Sequence, residues 1–433
     1  MNNCSHKAGL TRLLIVTCFL CIGLVAGTAG QSCAADMNFK PFLAVSEEVN
    51  DNIYQTSSNK QTDYITHVTP GATLHYLTPF WTWDVADTFD YSKYAQKSES
   101  DQNINNANIT GHITLLDNFM YLDVSDAYHR ILLNVAQDVT TQSSLFLDQT
   151  NQNIATVSPY LSWRLGEKST LKTGYRYTDT RYWGVGIDQF EHDVFADFKY
   201  DWTTKFSLSA GYSFSRIESI QAGYDNHSVY GGFNYQYADK SSIFGKVGNT
   251  WQLFDSGENG SFMFWDAGII HDLGLAIATL ETSSQTSVDP LAVSTKTTSY
   301  MGKLDKTLPR GALGLSGSYS VYENTQIGGN NQRKLSFSGS GRYEVIDSLI
   351  ASLAVTADRF YGQGIEPTVV SAEQSTAPNF RYHLYATGGL SYSLNHDITV
   401  SLNYTYETYQ NDLGDATGAL QINRGILAVR KNF

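Results

Sequence analysis

The sequence predicts an all-β fold, a transmembrane antiparallel up-and-down β-barrel of about 20 strands, with 18 and 22 as the neighbouring counts. Two observations predict it. Apolar and small polar residues alternate over stretches of about ten residues, which is long for strands of soluble proteins. Short and long polar breaks then alternate between these stretches. Short periplasmic turns and longer external loops are typical of outer-membrane barrels.

The first residues have the pattern of a secretory signal peptide, which we place at residues 1–34, with the barrel at residues 35–433. Lys7 and Arg12 precede the apolar run Leu13–Gly27, and small residues follow that run. The run is too short for a membrane-spanning helix. The sequence therefore predicts export through a cleaved signal peptide.

The cysteines and the charge narrow the class of protein further. All four cysteines lie within the first 33 residues, so cleavage after Ala34 leaves a chain without a thiol, and a cysteine metal site or a disulfide framework is excluded. Lipid attachment at Cys33 is the alternative that stays open. The formal charge of −13 becomes −15 once Lys7 and Arg12 are removed, which argues against nucleic acid as a partner.

The body of the chain repeats one strand pattern. In Phe206–Ser215 (FSLSAGYSFS) apolar residues occupy every second position, and Ser or Gly occupies the others. Thr399–Glu407 and Lys334–Val345 alternate in the same way. Because successive side chains of a strand point to opposite faces, each stretch has one apolar and one small polar face. Lipid cannot satisfy backbone polar groups, so strands with a lipid-facing side must close into a barrel.

The connections set the predicted strand count. Nine short breaks, such as Gly166–Ser169 and Asp272–Gly274, alternate with ten longer ones. The longest of the longer breaks is Gly362–Asn379, which is the candidate for a loop that plugs the barrel. Asp51, Asp225, Asp255 and Glu258 are expected in external loops, where they would make the mouth negative. Both termini are expected on the periplasmic side.

The chain ends within a strand pattern rather than in a polar tail. Leu427, Val429 and Phe433 share one face of GILAVRKNF. We interpret this stretch as the closing strand, which pairs with the first strand and places Phe433 at the lipid-facing periplasmic rim. These three residues are predicted to serve barrel closure and assembly, with the outer-membrane assembly machinery as a partner.

The polar parity of the strands predicts which side chains line the lumen. The group carries both signs of charge, as expected for a hydrated pore with tuned selectivity or for ion pairs that simply hold a wet interior together. The predicted lumen-lining residues are Arg164, Lys172, Arg176, Asp193, Asp197, Lys199, Lys334, Arg342, Glu344, Arg381, His383 and Glu407.

Catalytic and metal-binding signatures are weak. The chain has no H-E-x-x-H motif and no G-x-S-x-G elbow, and Gly314–Ser318 has the wrong spacing for the latter. The loop Phe254–Ser261 holds Asp255 and Glu258, which could bind Ca²⁺, although a solvated loop is favoured. We therefore expect no enzymatic activity and no cofactor.

The first hairpin carries a more specific signal. It contains Glu47-Glu48, Asp51-Asn52-Ile53, Asp63-Tyr64-Ile65 and Thr69-Pro70-Gly71. This stretch resembles the β-barrel porin 2 family and the related outer-membrane barrels associated with PEP-CTERM/exosortase and exopolysaccharide systems. The chain departs from that pattern at two points: it has Asn50 where Thr or Ser is usual, and its ending keeps only the terminal Phe.

The resemblance implies a bacterial outer-membrane protein, with the lipid bilayer and lipopolysaccharide as its surroundings. Three functions stay open: a passive porin for hydrophilic solutes, a component of an exopolysaccharide export system that contacts other export proteins, and a non-conducting structural or scaffold barrel. A lumen of this strand count would be wide enough for a polymer, but inward-folded loops could plug it.

Overall fold

The computed structural model describes residues 35–132, 149–220, 223–257, 259–288, 290, 294–325, 331–361, 381–395, 397–411 and 419–433. Among these residues there are 20 strands, and no helix is long and apolar enough to cross a membrane. The strands are β1 Asp36–Asn50, β2 Asp63–Leu77, β3 Trp81–Tyr94, β4 Gln102–Leu116, β5 Met120–Leu132, β6 Gln149–Arg164, β7 Ser169–Trp183, β8 Gln189–Thr203, β9 Phe206–Ser219, β10 Gly223–Ala238, β11 Ser241–Phe254, β12 Asn259–Asp272, β13 Ile277–Val288, β14 Ser294–Leu308, β15 Gly311–Asn324, β16 Asn331–Ile346, β17 Leu349–Tyr361, β18 Tyr382–Ser393, β19 Ile398–Gln410 and β20 Leu420–Asn432.

The strands form one closed antiparallel barrel. Each strand pairs with its neighbours in sequence, and β20 pairs with β1 in a register that runs from Phe42 opposite Asn432 to Asn50 opposite Arg424. Closure leaves no free sheet edge at the seam between the first and last strands. The prediction of an all-β up-and-down barrel with 20 strands is confirmed.

The two faces of the sheet differ in chemistry. One face carries large apolar side chains that remain exposed, such as Leu315 (61%), Phe337 (59%) and Leu402 (53%). The intervening positions of the same strands are mostly Ser, Gly, Asn and charged residues. A barrel with an apolar exposed band and a polar opposite face has the pattern of a membrane-spanning β-barrel.

Tight turns join the strands at the end of the barrel where β1 begins. Between β12 and β13, Gly274 adopts a left-handed conformation with φ of 77°, which favours glycine because it has no Cβ. The Gly274 amide donates a hydrogen bond to Asp272 Oδ1 at 2.7 Å. This turn matches the predicted break at Asp272–Gly274.

Several strands extend further towards the external end than the sequence predicts. Asp225 lies within β10 rather than in a loop, because it pairs across the ladder with Arg216 on β9 at 3.3 Å and so continues the strand. Arg381 precedes the first residue of β18, although its backbone still bonds to β17 and β19. The predicted signal peptide, Glu258 and Gly362–Asn379 lie outside the described residues.

In the external half of the barrel, β13 separates from β12, while β14 remains paired with both β13 and β15. The register between β12 and β13 runs only from Asp272–Ile277 to Trp265–Ser284, whereas β13 and β14 stay paired up to Val288–Ser294. Residues 285–288 of β13 and 294–297 of β14 form what we call the inturned hairpin. Near the tight turns, the outward-facing side chains of these strands are exposed, as at Leu280 on β13 (61%). Further along the same faces, Ser284 on β13 and Ser294 on β14 are only 1% exposed.

Candidate functional site

The barrel interior contains two polar regions near the external end, on opposite arcs of the wall. The first is the charged cluster, which takes one side chain from each of the five consecutive strands β16 to β20. Its members are Lys334, Asp358, His383, Glu407 and Arg424.

The charged cluster alternates in sign around the wall. His383 Nδ1 lies 3.1 Å from Asp358 Oδ2, and His383 Nε2 lies 3.1 Å from Glu407 Oε1. Arg424 Nη2 lies 3.2 Å from Glu407 Oε2, and Lys334 Nζ lies 3.8 Å from Asp358 Oδ1. The side chains of the inner three residues are at most 5% exposed, so these charges are compensated by one another rather than by solvent.

The surroundings of His383 fix its ring. The ring stacks on Tyr409 with centroids 4.5 Å apart, and the Tyr409 hydroxyl donates to Glu407 Oε1 at 2.7 Å. Since both ring nitrogens face carboxylates, neither is left to take a proton from a hydroxyl nucleophile. The cluster therefore has the chemistry of an ion-pair network and lacks the arrangement of a catalytic triad.

A smaller group repeats the same motif on β1 to β3. His67 Nδ1 lies 2.9 Å from Asp90 Oδ2, and His67 Nε2 lies 3.5 Å from Glu48 Oε2. Thr69 Oγ1 donates to Asp90 Oδ1 at 2.6 Å, and Ser92 Oγ donates to Asp90 Oδ2 at 2.7 Å. Ion-paired polar groups thus continue around the arc from β16 to β3.

The first-hairpin motif lies between these two groups and joins the two ends of the chain. The Asn52 side-chain amide donates to the carbonyls of Thr56 (2.7 Å) and Gln421 (2.9 Å). The Asp51 carboxylate accepts hydrogen bonds from the backbone and the side chain of Asn423, both at 2.7 Å. The residues that carry the family resemblance therefore connect the first external loop to the closing strand β20 by hydrogen bonds.

Three further motif residues strengthen this connection between the first loop and the barrel. Ile53 and Ile65 are fully buried against Tyr94 in a small apolar core. Asp63 is also fully buried and accepts hydrogen bonds from the backbone amides of Tyr64 and Gln96, both at 2.7 Å. A packed core and a capped strand end hold the first loop against the external rim of the barrel.

The second region is a cavity of about 270 Å³ on the opposite arc, which we call the polar chamber. The wall strands β7 to β11 line it on one side, and the inturned hairpin lines it on the other. The connections that follow β7 and β13 also meet, because the Ile187 amide donates a hydrogen bond to the Pro290 carbonyl at 2.8 Å. Strands this far apart on the wall can meet only inside the barrel, so the polar face is the inner face. The lining residues are Thr178, Thr180, Gln189, Glu191, Ile217, Tyr224, Asn226, Gln252, Thr286, Ser287, Val288 and Ser294.

The polar chamber contains buried polar atoms without a hydrogen-bond partner. Gln252 is 2% exposed and Ser294 is 1% exposed, yet no described residue pairs with Gln252 Oε1 or Ser294 Oγ. Asn226 Oδ1 is also buried and has no hydrogen-bond partner among the described residues. Leaving such groups unsatisfied costs about 1–3 kcal/mol each, so a site that keeps several of them invites a hydrogen-bonding occupant.

The residues predicted to line the lumen fall into neighbouring pairs rather than one site. His383, Glu407 and Lys334 belong to the charged cluster, and the remaining contacts are local. Two are ion pairs: Arg176 Nη1 lies 3.7 Å from Asp193 Oδ2, and Lys199 Nζ lies 2.9 Å from Asp201 Oδ1. Two are hydrogen bonds: Asp197 Oδ1 accepts from the Tyr230 hydroxyl at 2.6 Å, and Arg164 donates to Asn118 Oδ1 at 3.1 Å. Lys172 Nζ lies 5.3 Å from the Tyr160 ring centroid.

Three of the predicted residues belong neither to these pairs nor to the two regions. Arg342 and Glu344 are near the end of β16 that faces the tight turns, and the Glu344 amide donates to the Arg310 carbonyl at 2.7 Å. The Arg381 amide donates to the Gln410 carbonyl at 3.1 Å. The closure residues Leu427 and Val429 lie on β20 and are 52% and 46% exposed, and Phe433, which is 68% exposed, donates from its amide to the Pro41 carbonyl at 3.0 Å.

Sequence reasoning missed the partners that complete both regions. Asp358 stands on the lumen parity of β17, and Arg424 stands on the parity of β20 opposite to Leu427 and Val429, so both could have been predicted for the lumen by position, although Arg424 shares its face with apolar residues such as Ile422. The polar chamber also had a signal, because the lipid-facing parity of β13 turns polar at Thr282, Ser284 and Thr286. Polar residues at that parity indicate that the strand leaves the lipid.

Arg216 and Asp255 form a solvent-accessible ion pair at the external end of the barrel. Arg216 Nη2 lies 2.8 Å from Asp255 Oδ2, and the hydrogen bonds from this guanidinium lower the pKa of the Asp255 carboxyl. Asp255 is thus engaged with a cation of the protein itself. Within the part of the chain that the structure describes, no group of three or more His, Cys, Asp or Glu side chains is arranged to hold a metal ion.

Comparison with known proteins identifies the fold. No family model and no curated protein matches the chain. The barrel is similar to the FrpB iron transporter from Neisseria meningitidis, at 10% identity and a TM-score of 0.53, over 92% of this chain and 82% of that one. It is also similar to the siderophore receptor PirA from Pseudomonas aeruginosa, at 7% identity and a TM-score of 0.51, over 92% and 80%.

A third solved structure agrees with these two. The ferric-catecholate import receptor Fiu from E. coli K12 is similar at 9% identity and a TM-score of 0.50, over 90% of this chain and 81% of that one. At such low identity the likeness shows the fold alone. The chain has the fold of a large outer-membrane β-barrel.

Proposed function

We propose that this protein is a pore of the bacterial outer membrane that gives passage to small hydrophilic solutes. The observation that carries the proposal is the division of the barrel into an apolar exposed face and an inner face of hydroxyl, amide and paired charged groups. An inner face of this chemistry is stable in contact with water, whereas a barrel filled with apolar side chains would exclude it.

Export through a cleaved signal peptide and insertion by the outer-membrane assembly machinery belong to the same proposal. The pairing of β20 with β1 supports insertion into a membrane, because a β-protein in lipid must close into a barrel to satisfy its backbone polar groups. Membership of the β-barrel porin 2 family and a place in an exopolysaccharide export system rest on the first hairpin, whose motif residues seal the external end of the closure seam. The proposed pore is not an enzyme.

The alternative is a non-conducting structural barrel, and one observation favours it. The inturned hairpin lies inside the external half of the barrel and narrows the path there. A pore needs a continuous hydrated route beside this hairpin, between the polar chamber and the charged cluster.

Solute flux separates the two functions. Purified protein is reconstituted into liposomes, and swelling is followed in isotonic solutions of solutes that increase in size from glycerol to trisaccharides. The proposal predicts rapid swelling with the smallest solutes and a decline with size. Liposomes that contain fully assembled protein but swell no faster than protein-free liposomes would contradict the pore and favour the structural barrel.

A further inference from the structure

We infer that the polar chamber is a binding site for a small neutral polyhydroxylated solute, of the size of a monosaccharide. The inference rests on the proposed function and deepens it, since it names the class of solute that the pore would select. It starts from the unpaired buried atoms of Gln252, Ser294 and Asn226, which all line the same cavity.

The size of the polar chamber sets the size of the ligand. Its volume of about 270 Å³ is just below the range of about 300–1,000 Å³ that drug-sized ligands occupy. The same volume corresponds to about nine water molecules at the density of the liquid. A single sugar ring fits these limits, and a longer saccharide could place only one unit in the cavity.

The chemistry of the lining sets the class of ligand. Thr, Ser, Asn and Gln side chains provide both donors and acceptors, which match the donor and acceptor character of vicinal hydroxyl groups. The described lining has no Lys or Arg and has one carboxylate, Glu191, so phosphorylated or carboxylated solutes are disfavoured. The Tyr224 ring with Ile217 and Val288 offers an apolar surface for the C–H face of a sugar.

The inturned hairpin explains why the site exists where it does. Thr286, Val288 and Ser294 continue the faces of β13 and β14 that point outward nearer the tight turns. They line the chamber because the hairpin turns these faces towards the inner wall. Without that turn, Gln252 and Asn226 would face the open lumen and meet water. The hairpin therefore converts part of the lumen into a partly enclosed cavity, and a concave site with a few convergent polar groups is what selection of one solute class requires.

Calorimetric titration of the detergent-purified protein with D-glucose tests this inference directly. We expect saturable binding to wild type that is roughly tenfold or more weaker in Gln252→Leu and in Ser294→Ala, because each variant removes a hydrogen-bonding atom from the cavity. Gln332→Leu is the matched control: Gln332 is a buried glutamine on β16 with an unpaired Oε1, and it does not line the polar chamber. It should bind D-glucose as wild type does.

The D-glucose titrations would overturn the inference if wild type showed no saturable binding, if both chamber variants bound as wild type does, or if Gln332→Leu weakened binding equally. Titration with tetramethylammonium chloride is the counter-test, since tighter binding of this cation than of D-glucose would assign the site to Glu191 and Tyr224 instead. Liposome swelling is independent of these titrations. Binding of D-glucose without liposome swelling would contradict only the proposed pore. Swelling without binding of D-glucose would contradict only the binding site in the polar chamber.

Discussion

The charged cluster and the polar chamber lie near the external end of the barrel on opposite arcs, yet the polar side chains that they bury differ in charge. In the charged cluster, each buried side chain meets an opposite charge on the next strand, as His383 does between Asp358 and Glu407. In the polar chamber, Gln252 and Ser294 are equally buried but neutral. Both regions keep buried atoms that no described residue hydrogen-bonds, Asp358 Oδ1 and Arg424 Nε in the charged cluster and Gln252 Oε1 and Ser294 Oγ in the polar chamber, and only those of the charged cluster belong to ion-paired side chains. The difference separates a region that holds the wall together from a region that is built to receive a ligand.

Removal of one charge from the charged cluster should have the largest effect on stability. Glu407→Gln leaves His383 and Arg424 buried without their shared negative partner, and breaking a buried pair in this way costs about 3–5 kcal/mol. Equilibrium unfolding in urea, with the folded band on unheated gels as a second readout, measures the loss. A change below about 1 kcal/mol would show that the cluster does not stabilise the wall.

The matched control is an exposed pair of the same kind. Lys199 and Asp201 lie 2.9 Å apart, and their side chains are 59% and 50% exposed. Solvent screens such a pair, so Asp201→Asn should lower the free energy of unfolding by no more than about 1 kcal/mol. If both variants lose equal stability, burial is not the source of the effect in the charged cluster.

The polar chamber should respond in the opposite sense. Gln252→Leu replaces a buried amide, whose oxygen is unpaired, with an apolar group of similar size, so the free energy of unfolding without ligand should stay the same or rise by about 1 kcal/mol. The same urea titration checks this outcome. A fall as large as that of Glu407→Gln would mean that the two regions do not differ in kind.

The contrast between these regions also shows what the sequence could predict. The strand count and the closing role of β20 follow from local alternation and turn residues, which need no knowledge of distant contacts. His383 and Glu407 were predicted for the lumen by parity, but their pairing depends on the register between β18 and β19. The register is set by turn geometry and bulges over the whole hairpin, so a single strand does not reveal it.

The inward turn of β13 and β14 lies further beyond local patterns. Leu280 and Tyr300 obey the lipid-facing pattern, while Ser284 and Ser294 on the same parity are buried. A polar residue at that position is compatible with a strand that rises above the membrane as well as with one that folds inward. Only the loss of pairing to β12 distinguishes the two, and that loss is a property of the assembled barrel. Asp225 was predicted for an external loop but lies in β10. Its pairing with Arg216 continues the ladder between β9 and β10 beyond the predicted ends of these strands, and a local pattern does not reveal such a pairing.

The smallest expected effect is a dependence of stability on acid at the exposed rim. Arg216 lowers the pKa of Asp255, so the pair stabilises the fold above the unfolded pKa of about 3.9 and loses this contribution as the pH falls through the lower folded value. Thermal unfolding at pH 7 and pH 3 should therefore show a slightly smaller acid-induced shift in Asp255→Asn than in wild type. An identical shift would show that the pair contributes nothing.

Single-channel recording of the purified protein in a planar bilayer tests the central claim most directly. The inner face carries paired charges and polar groups, and the chain without Lys7, Arg12 and the rest of residues 1–34 has a formal charge of −15. We predict discrete openings with a modest preference for cations, which weakens as the salt concentration rises because screening reduces the negative potential at the mouth. Electrical silence of a protein that is folded and inserted would contradict the pore.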